Sequence, residues 1–344
     1  MIKILVDAMG GDNAPAAIVQ GAALAIERDS DLHIVFTGRQ REIQAELDKL
    51  KCDKSRVEIV DCADVIGMND NPVEAVRRGD SSMMKAYAML RKNEDICAFV
   101  TAGSTGAAIA GGQILLGRIR GVKRAALCPA IPNSRGGVTL LCDCGANTEC
   151  KPIMLCQFAL LASAYAKVGF GMQNPKVGLL NNGTEEHKGD LLRQETYKYL
   201  SQMQGVNFVG NIEGRDIMVG DCDVAVADGY TGNIALKSIE GCGKLVLGVM
   251  KKEFSATLRS KIGYLFLKKA IKNMRGQLDF EKVGGALLLG LKKVVVKSHG
   301  SSKPQTIAAA IANAAHIYRG GLVPAVEKSL ESVDLDSIVT ESGE

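Results

Sequence analysis

The chain reads as an α/β protein built on parallel strands, and three observations predict that class. Short apolar runs alternate with helix-length segments from the first residues onward. Polar, glycine-containing turns follow those runs, as they do where strands feed helices. The 344 residues include 38 glycines but only eight prolines, a balance that suits tight strand-to-helix turns. At roughly 150 residues per domain, the length fits two domains or one large unit with an elaboration.

The elements follow in order. IKILVDAM reads as a buried strand, and a helix from about Pro15 to Arg28 sets Ala16, Val19, Ala23 and Ile26 on one face. HIVFTG and RQREIQAELDKL form the next pair, VEIVDC is a third strand, and SSMMKAYAMLRK is a helix that its leading serines can cap. ICAFVTAG opens the fourth unit. Beyond Arg120, AALCPAIP and GGVTLLCDCG flank the turn-rich NSRGG and predict a hairpin. Next come a helix over 151–168, strand KVGLL, a helix over 188–203, and strands NFVGNI and DVAVAD. Long helices from about Thr231 to Arg275, a strand VVVKS and a helix over 303–319 complete the pattern. The expected organisation is a single α/β domain over 1–320, its halves sharing one sheet, with a helical basic amphipathic arm at about 240–276 and a polar tail over 321–344.

Composition removes several classes. With 47% hydrophobic and 23% charged residues the chain is neither disordered nor membrane-saturated. A net charge of +4, 4% aromatics and no Trp give no general nucleic-acid surface. The first residues carry no basic segment followed by an apolar signal core, and ten cysteines without a short-chain framework suit free thiols in a reducing cytosol. Cys142, Cys144, Cys150 and Cys156 lack paired CxxC spacing, so they read as core fillers, with Cys142 and Cys144 on one strand face, and no metal is expected. The charge-free span Ile96 to Gly117 reaches about the 20 residues a bilayer needs, but its TAGSTG turn makes it a buried strand-turn-helix unit.

Sites in such proteins assemble in the turns after parallel strands. DAMGGDNAP offers Gly10 and Gly11 for backbone approach to an anion, with Asp12 and Asn13 beside them, or a capped tight turn. TAGSTGA offers Ser104 and Thr105 at a helix start, for phosphate or for close helix–strand packing. DCGANTE presents Asn147 for a substrate or for initiating a helix. NNGTEEHKG gathers Glu185, Glu186, His187 and Lys188, either an anion-holding lysine or a solvated charge run. ADGYTGNIALK places Asp228 at a strand end with Thr231 and Asn233 at a helix start. Of the four histidines, His33 and His316 read as structural, and His299 in KSHGSS is the better acid–base candidate. GCGKL lacks P-loop spacing, and neither GxSxG nor HExxH occurs.

Taken in order, DAMGGDNAP, TAGSTGA, GVKRAAL, DCGAN, NNGTEEHKG, DGYTGNIALK and SHGSS resemble bacterial phosphate acyltransferases over nearly the whole chain, to about Tyr318. The sequence departs from that pattern at Ser104, at Asn182 to Thr184 and at Ala125. The resemblance implies a three-layer α/β/α sandwich like isocitrate and isopropylmalate dehydrogenases and phosphotransacetylase, as a homodimer without a cofactor. It implies transfer of a fatty acyl group from acyl carrier protein to inorganic phosphate, for phospholipid synthesis. Lys188, His299 and Asn233 would then be the catalytic candidates, and Gly10, Gly11, Asp12, Asn13, Ser104, Thr105, Asn147 and Asp228 would bind substrate. Two other readings stand beside it, an NAD-dependent decarboxylating dehydrogenase and a non-catalytic acyl-carrier or lipid-binding module.

The arm carries its own signal. From Lys251 to Arg275 eight basic residues face the single acid Glu253, with Phe254, Leu258, Ile262, Leu265 and Phe266 as an apolar stripe. Leu258, Lys261, Leu265, Phe266, Lys268 and Lys269 are expected to contact anionic lipid or an acidic carrier protein, which makes a cytoplasmic protein peripheral at the inner face of the membrane.

Overall fold

The structure is a computed structural model, and it describes residues 1–277 and 284–333. Twelve strands form a seven-stranded and a five-stranded sheet. The first half supplies β1 (Ile2–Asp7), β2 (Leu32–Gly38), β3 (Val57–Asp61), β4 (Ile96–Thr101), β5 (Ala126–Cys128), β6 (Ala130–Pro132) and β7 (Val138–Cys142). The second supplies β8 (Lys176–Leu180), β9 (Asn207–Ile212), β10 (Val224–Val226), β11 (Ala286–Leu289) and β12 (Val294–Lys297). The helices are α1 (Ala16–Arg28), α2 (Gln40–Leu47), α3 (Pro72–Ala75), α4 (Ser82–Lys92), α5 (Thr105–Gly111), α6 (Pro152–Phe170), α7 (Leu191–Gln202), α8 (Asp216–Val219), α9 (Gly229–Ala256), α10 (Leu258–Gln277), α11 (Pro304–Arg319) and α12 (Leu322–Glu331).

The larger sheet runs β3-β2-β1-β4-β12-β11-β5, with β3, β2, β1, β4 and β12 mutually parallel. Side chains alternate along β1, so Ile4 and Val6 join the main core with α1 and α11, while Leu5 packs with α4 on the opposite face. The smaller sheet runs β6-β7-β10-β8-β9, and only its edge strand β6 is antiparallel. Its Leu140, Cys142, Val177 and Val224 face α6 in the main core, whereas Leu141, Leu180 and Ala225 pack in a separate cluster with Ile217 and Ile239. Helices therefore cover both faces of each sheet, in the layered α/β arrangement expected.

The strands do not form the one sheet expected; they divide between two, and each sheet takes strands from both halves of the chain. The chain changes sheets at Pro129, where β5 pairs with β11 while β6 pairs with β7 in the expected hairpin. Proline has no N–H to continue a ladder, so it suits the break. Cys142 and Cys144 also part company, because the strand ends at Cys142 and Cys144 turns into the separate cluster. All ten cysteines are free thiols. The polar tail begins later than expected, since Leu322, Val326 and Leu330 recur at helical spacing and α12 packs that stripe against the core; residues 334–344 lie outside the described residues. Among the described residues one helix, α6, is long and apolar enough to cross a membrane, and 72% of its most apolar window is buried in the fold.

Helices α9 and α10 form the arm. Past Ile239 no described residue of α9 is buried. The two helices contact one another, with Phe254 and Tyr264 rings 5.7 Å apart.

Candidate functional site

The two sheets bring two groups of strand ends together. In the larger sheet β1, β4 and β12 are neighbours, and Lys297 pairs in register with Thr101. Thr101 Oγ1 in turn donates to Asp7 Oδ2 at 2.8 Å. The last residues of three strands thus stand in a row. The row lies at the point where the strand order reverses, between β1 and β4, which is where open α/β sheets bind ligands.

Asp7 is buried and accepts from Ser82 Oγ at 2.7 Å, from Thr101 and from the Met9 N–H at 3.3 Å. Burial pushes its carboxyl above the usual range, and these hydrogen bonds partly offset that. Lys297 is 7% exposed, and burial lowers its ammonium to about 8. The negative charges of Asp7 and Asp12 support its charged form, while Lys237 on α9 opposes it from the other half of the molecule.

The β1 turn and the turn after β12 are locked together. The Asp12 N–H donates to the Gly300 carbonyl at 2.8 Å, and Asn13 Nδ2 donates to the Ser301 and Ser302 carbonyls, each at 3.2 Å. Gly11 adopts φ +98°, and a Cβ there would sit 2.8 Å from the Gly300 carbonyl oxygen. A Cβ at Gly10 would come within 2.6 Å of the Gly103 nitrogen. The two glycines therefore let three turns meet backbone to backbone, which is the tight-turn reading of that motif. Ser104 caps α5 by accepting from the Ala107 N–H at 3.5 Å, and Thr105 is the first helical residue.

His299 is exposed at this mouth. Its Nδ1 accepts from the Ser301 N–H at 3.2 Å and lies 2.8 Å from Ser301 Oγ. The neutral ring then carries its proton on Nε2, which leaves that N–H available as a donor. Ser298 and Ser302 hydroxyls, 2.8 Å apart, brace the turn beneath it. His33 lies instead on β2, 2.8 Å from Glu58, and His316 Nε2 is 3.3 Å from the Gly169 carbonyl, both away from the strand ends.

The ends of β7, β10 and β8 make the facing group. Asp143 is fully buried and accepts from the N–H groups of Leu127 (2.8 Å), Cys144 (2.6 Å), Ala146 (3.2 Å) and Asn147 (2.7 Å). It also accepts from Asn147 Nδ2 at 3.0 Å, and burial still raises its carboxyl. Asn147 spends its amide on Asp143 and on the Ala125 carbonyl at 2.8 Å, so its donors are internal, and Lys151 rather than Asn147 precedes α6. Asp228 caps α9 through the Thr231 N–H at 2.9 Å and is bound by Thr231 Oγ1 and the Arg193 guanidinium. Burial alone would raise Asp228, but those bonds outweigh it and hold its carboxyl below the usual range.

Lys188 lies on the rim. Its ammonium is 42% exposed and 4.0 Å from Glu185, while its carbonyl accepts from Asn181 Nδ2 at 3.1 Å. Asn233 is exposed on the first turn of α9 and faces Gly145. Among the described residues no three His, Cys, Asp or Glu side chains gather as a metal site.

A cleft of about 380 Å³ opens between the α3 and α5 region and the turn that follows β7. Pro72, Gly106, Ile109 and Ile114 line one side, Gly145 and Ala146 the other, and Arg118 and Arg124 stand at its margin. The structure thus brings Gly10, Gly11, Asp12, Asn13, Ser104 and His299 to one mouth, and Asn147, Asp228 and Asn233 to the other. Sequence reasoning missed Asp7's hydrogen-bonded role, Lys297, Asp143 and Arg193. Three of these end or immediately follow an apolar strand run, a signal that was readable; Arg193 sits among ordinary helix charges and was not.

The comparisons with known proteins decide the family. The family described as "Fatty acid synthesis protein" matches residues 2–323. A phosphate acyltransferase from Caldicellulosiruptor saccharolyticus is 42% identical over 96% of this chain and 98% of its own length. The chain belongs to the phosphate acyltransferase family. Solved structures with the same fold include the EutD phosphotransacetylase from Staphylococcus aureus, with TM-score 0.57, 16% identity and coverage of 93% of this chain and 94% of that one. A 4-hydroxythreonine-4-phosphate dehydrogenase from Klebsiella pneumoniae has TM-score 0.51, 13% identity and coverage of 92% and 99%. The fold is therefore shared by transferases and dehydrogenases, and it is family membership that selects the acyltransferase over the dehydrogenase and binding-module readings.

Proposed function

We propose that this enzyme moves a fatty acyl group from acyl carrier protein to inorganic phosphate, giving an acyl phosphate for phospholipid synthesis. Membership of the phosphate acyltransferase family carries this reading. Phosphate dianion is itself a nucleophile, so the reaction needs positioning and charge neutralisation more than a strong base. A phosphate oxygen attacks the thioester carbonyl, forming a C–O bond. The tetrahedral intermediate then expels sulfur with the bonding pair, and the thiolate takes up a proton.

The geometry supports a role for each candidate. His299, whose Nε2 proton is free of the Ser301 contacts, and the exposed Asn233 of α9 are the donors for the oxyanion. Lys188 adds positive charge at the rim. Asp12, Asn13, Gly10, Gly11, Ser104 and Thr105 hold the phosphate-side turns in place, while Asn147 and Asp228 hold the opposite wall. The apolar side of the cleft, with Ile109, Ile114 and Ala146, suits an alkyl chain.

The arm fits peripheral attachment to an anionic membrane surface by a cytoplasmic homodimer. Leu258, Ile262 and Leu265 fall on one stripe that Lys269 ends, Phe266 beside it is 86% exposed, and Lys261 and Lys268 flank the stripe. An exposed apolar surface of this extent marks an interaction site, against lipid near the turn and against a second subunit along the shank, where Leu245 and Val249 are exposed.

The test is to incubate the protein with long-chain acyl carrier protein and phosphate and trap acyl phosphate with hydroxylamine. Phosphate-dependent hydroxamate is expected, falling more than tenfold in His299→Ala and several-fold in Lys188→Ala. Activity within a few-fold of wild type in both variants would overturn the site. No product from either acyl carrier protein or acyl-CoA would overturn the reaction.

A further inference from the structure

The buried ammonium of Lys297 is only partly used. A lysine carries three N–H donors, and among the described residues Lys297 Nζ bonds to a single acceptor, the Ser298 carbonyl. Its neighbour Asp7 does not accept from it in a direct hydrogen bond, having already taken Ser82, Thr101 and the Met9 N–H. A buried cation with spare donors is costly unless something else completes it.

A second cation makes the arrangement more pointed. Lys237 lies two turns into α9, on the half of the molecule opposite β12, and its charge opposes that of Lys297. Its side chain is 57% exposed and bound to Glu240 at 2.9 Å, so it is anchored yet open to solvent. The charge of Lys237 on α9 is felt at Lys297 on β12, and an anion bound at Lys297 would turn that repulsion into attraction to both. The His299 Nε2 proton and the Ser298–Ser302 hydroxyl pair lie on the same turn as Lys297.

We propose that Lys297 is the buried anchor of the inorganic phosphate site, with Lys237 on α9 adding positive charge to the same mouth. This deepens the acyltransferase reading and rests on it for the identity of the anion. Lys188, out on the rim and paired with Glu185, then supplies long-range charge rather than the direct contact. The geometry also accounts for the row of strand ends. Asp7 supports the charged form of Lys297 without taking a direct hydrogen bond from it, so those donors stay available. A phosphate oxygen held by Lys297 lies at the same mouth as His299, as attack on a thioester requires.

The experiment measures the KM for inorganic phosphate, the KM for acyl carrier protein thioester and direct phosphate binding by calorimetry, in wild type, Lys297→Met and Lys237→Gln. Methionine keeps most of the bulk of the buried chain and removes its ammonium, with the bond to the Ser298 carbonyl. The phosphate KM is expected to rise at least tenfold in Lys297→Met and several-fold in Lys237→Gln, with the thioester KM within twofold of wild type. If Lys297→Met does not fold, Lys237→Gln carries the test alone, because its side chain is on the surface. Acyl phosphate formation with unchanged phosphate KM in the folded variants would overturn this site and leave the acyltransferase reading standing. Lysine-dependent phosphate binding without acyl phosphate formation from any thioester would do the reverse.

Discussion

The mouths of the two sheets solve the same problem in opposite ways. At the five-stranded sheet the buried carboxylates are complete. Asp143 takes five hydrogen bonds from the turn it organises, and Asp228 is closed by Thr231 and Arg193. At the seven-stranded sheet the carboxylate Asp7 accepts from Ser82, Thr101 and the Met9 N–H, but the cation beside it has donors to spare and feels the charge of a second cation on α9. A closed polar network fixes a shape, and an open one waits for a ligand. By that criterion the first mouth is a wall and the second is a binding site, although both lie at strand ends and both carry buried charge.

Substitutions separate these roles. Asp143→Ala should have the largest effect on stability, because it strands at least four buried N–H donors at about 1–3 kcal/mol each before relaxation. The expected result is a loss on the order of 4 kcal/mol or more in chemical denaturation, or a protein that does not fold. A stable Asp143→Ala variant would break the contrast. Arg193→Ala leaves Asp228 buried without its cation and should cost about 3 kcal/mol by the same measurement. Lys297→Met, in contrast, removes a desolvated charge and should unfold within about 1 kcal/mol of wild type, or above it, while phosphate use collapses.

The pH dependence sharpens the comparison further. Lys297, lowered to about 8 by burial, loses its charge as pH rises through that value, despite the opposing influence of Asp7 and Asp12 and with the help of Lys237. The affinity for phosphate should therefore be highest below about pH 8 and fall above it, and Lys237→Gln should move the fall to higher pH by removing the repelling charge. Steady-state phosphate KM between pH 6.5 and 9.5 reads this directly; a flat profile would count against Lys297. The smallest effect belongs to Asn13→Ala, which removes two bonds to the Ser301 and Ser302 carbonyls and should cost about 1 kcal/mol in denaturation, with a modest loss of activity.

The same contrast explains what could be read from the sequence. Asp7 and Asp228 stand at the ends of apolar runs, and Asp12, Asn13, Ser104 and His299 lie in the turns that follow such runs, so local pattern alone brings them to the strand-end side. What local pattern lacks is the partner. Lys297 looked like the polar exit of VVVK until β12 was seen beside β4, and Arg193 looked like one more helix charge until α7 was seen against Asp228. Asn147 was weighed as a ligand or a cap, but its donors are committed to Asp143 and Ala125, a pairing set by distant strands. The division into two sheets escaped for the same reason, since β11 and β5 meet across nearly half the chain. Leu322 and Val326 were lost in a charged setting, although their spacing is helical.

The measurement that bears most directly on this account is a calorimetric titration of the protein with inorganic phosphate alone, at pH 7, comparing wild type with Lys297→Met. Saturable binding in the wild type and none in a folded Lys297→Met variant is the expected result. Equal binding by the two proteins would contradict the account, because the open mouth would then owe nothing to the cation that defines it.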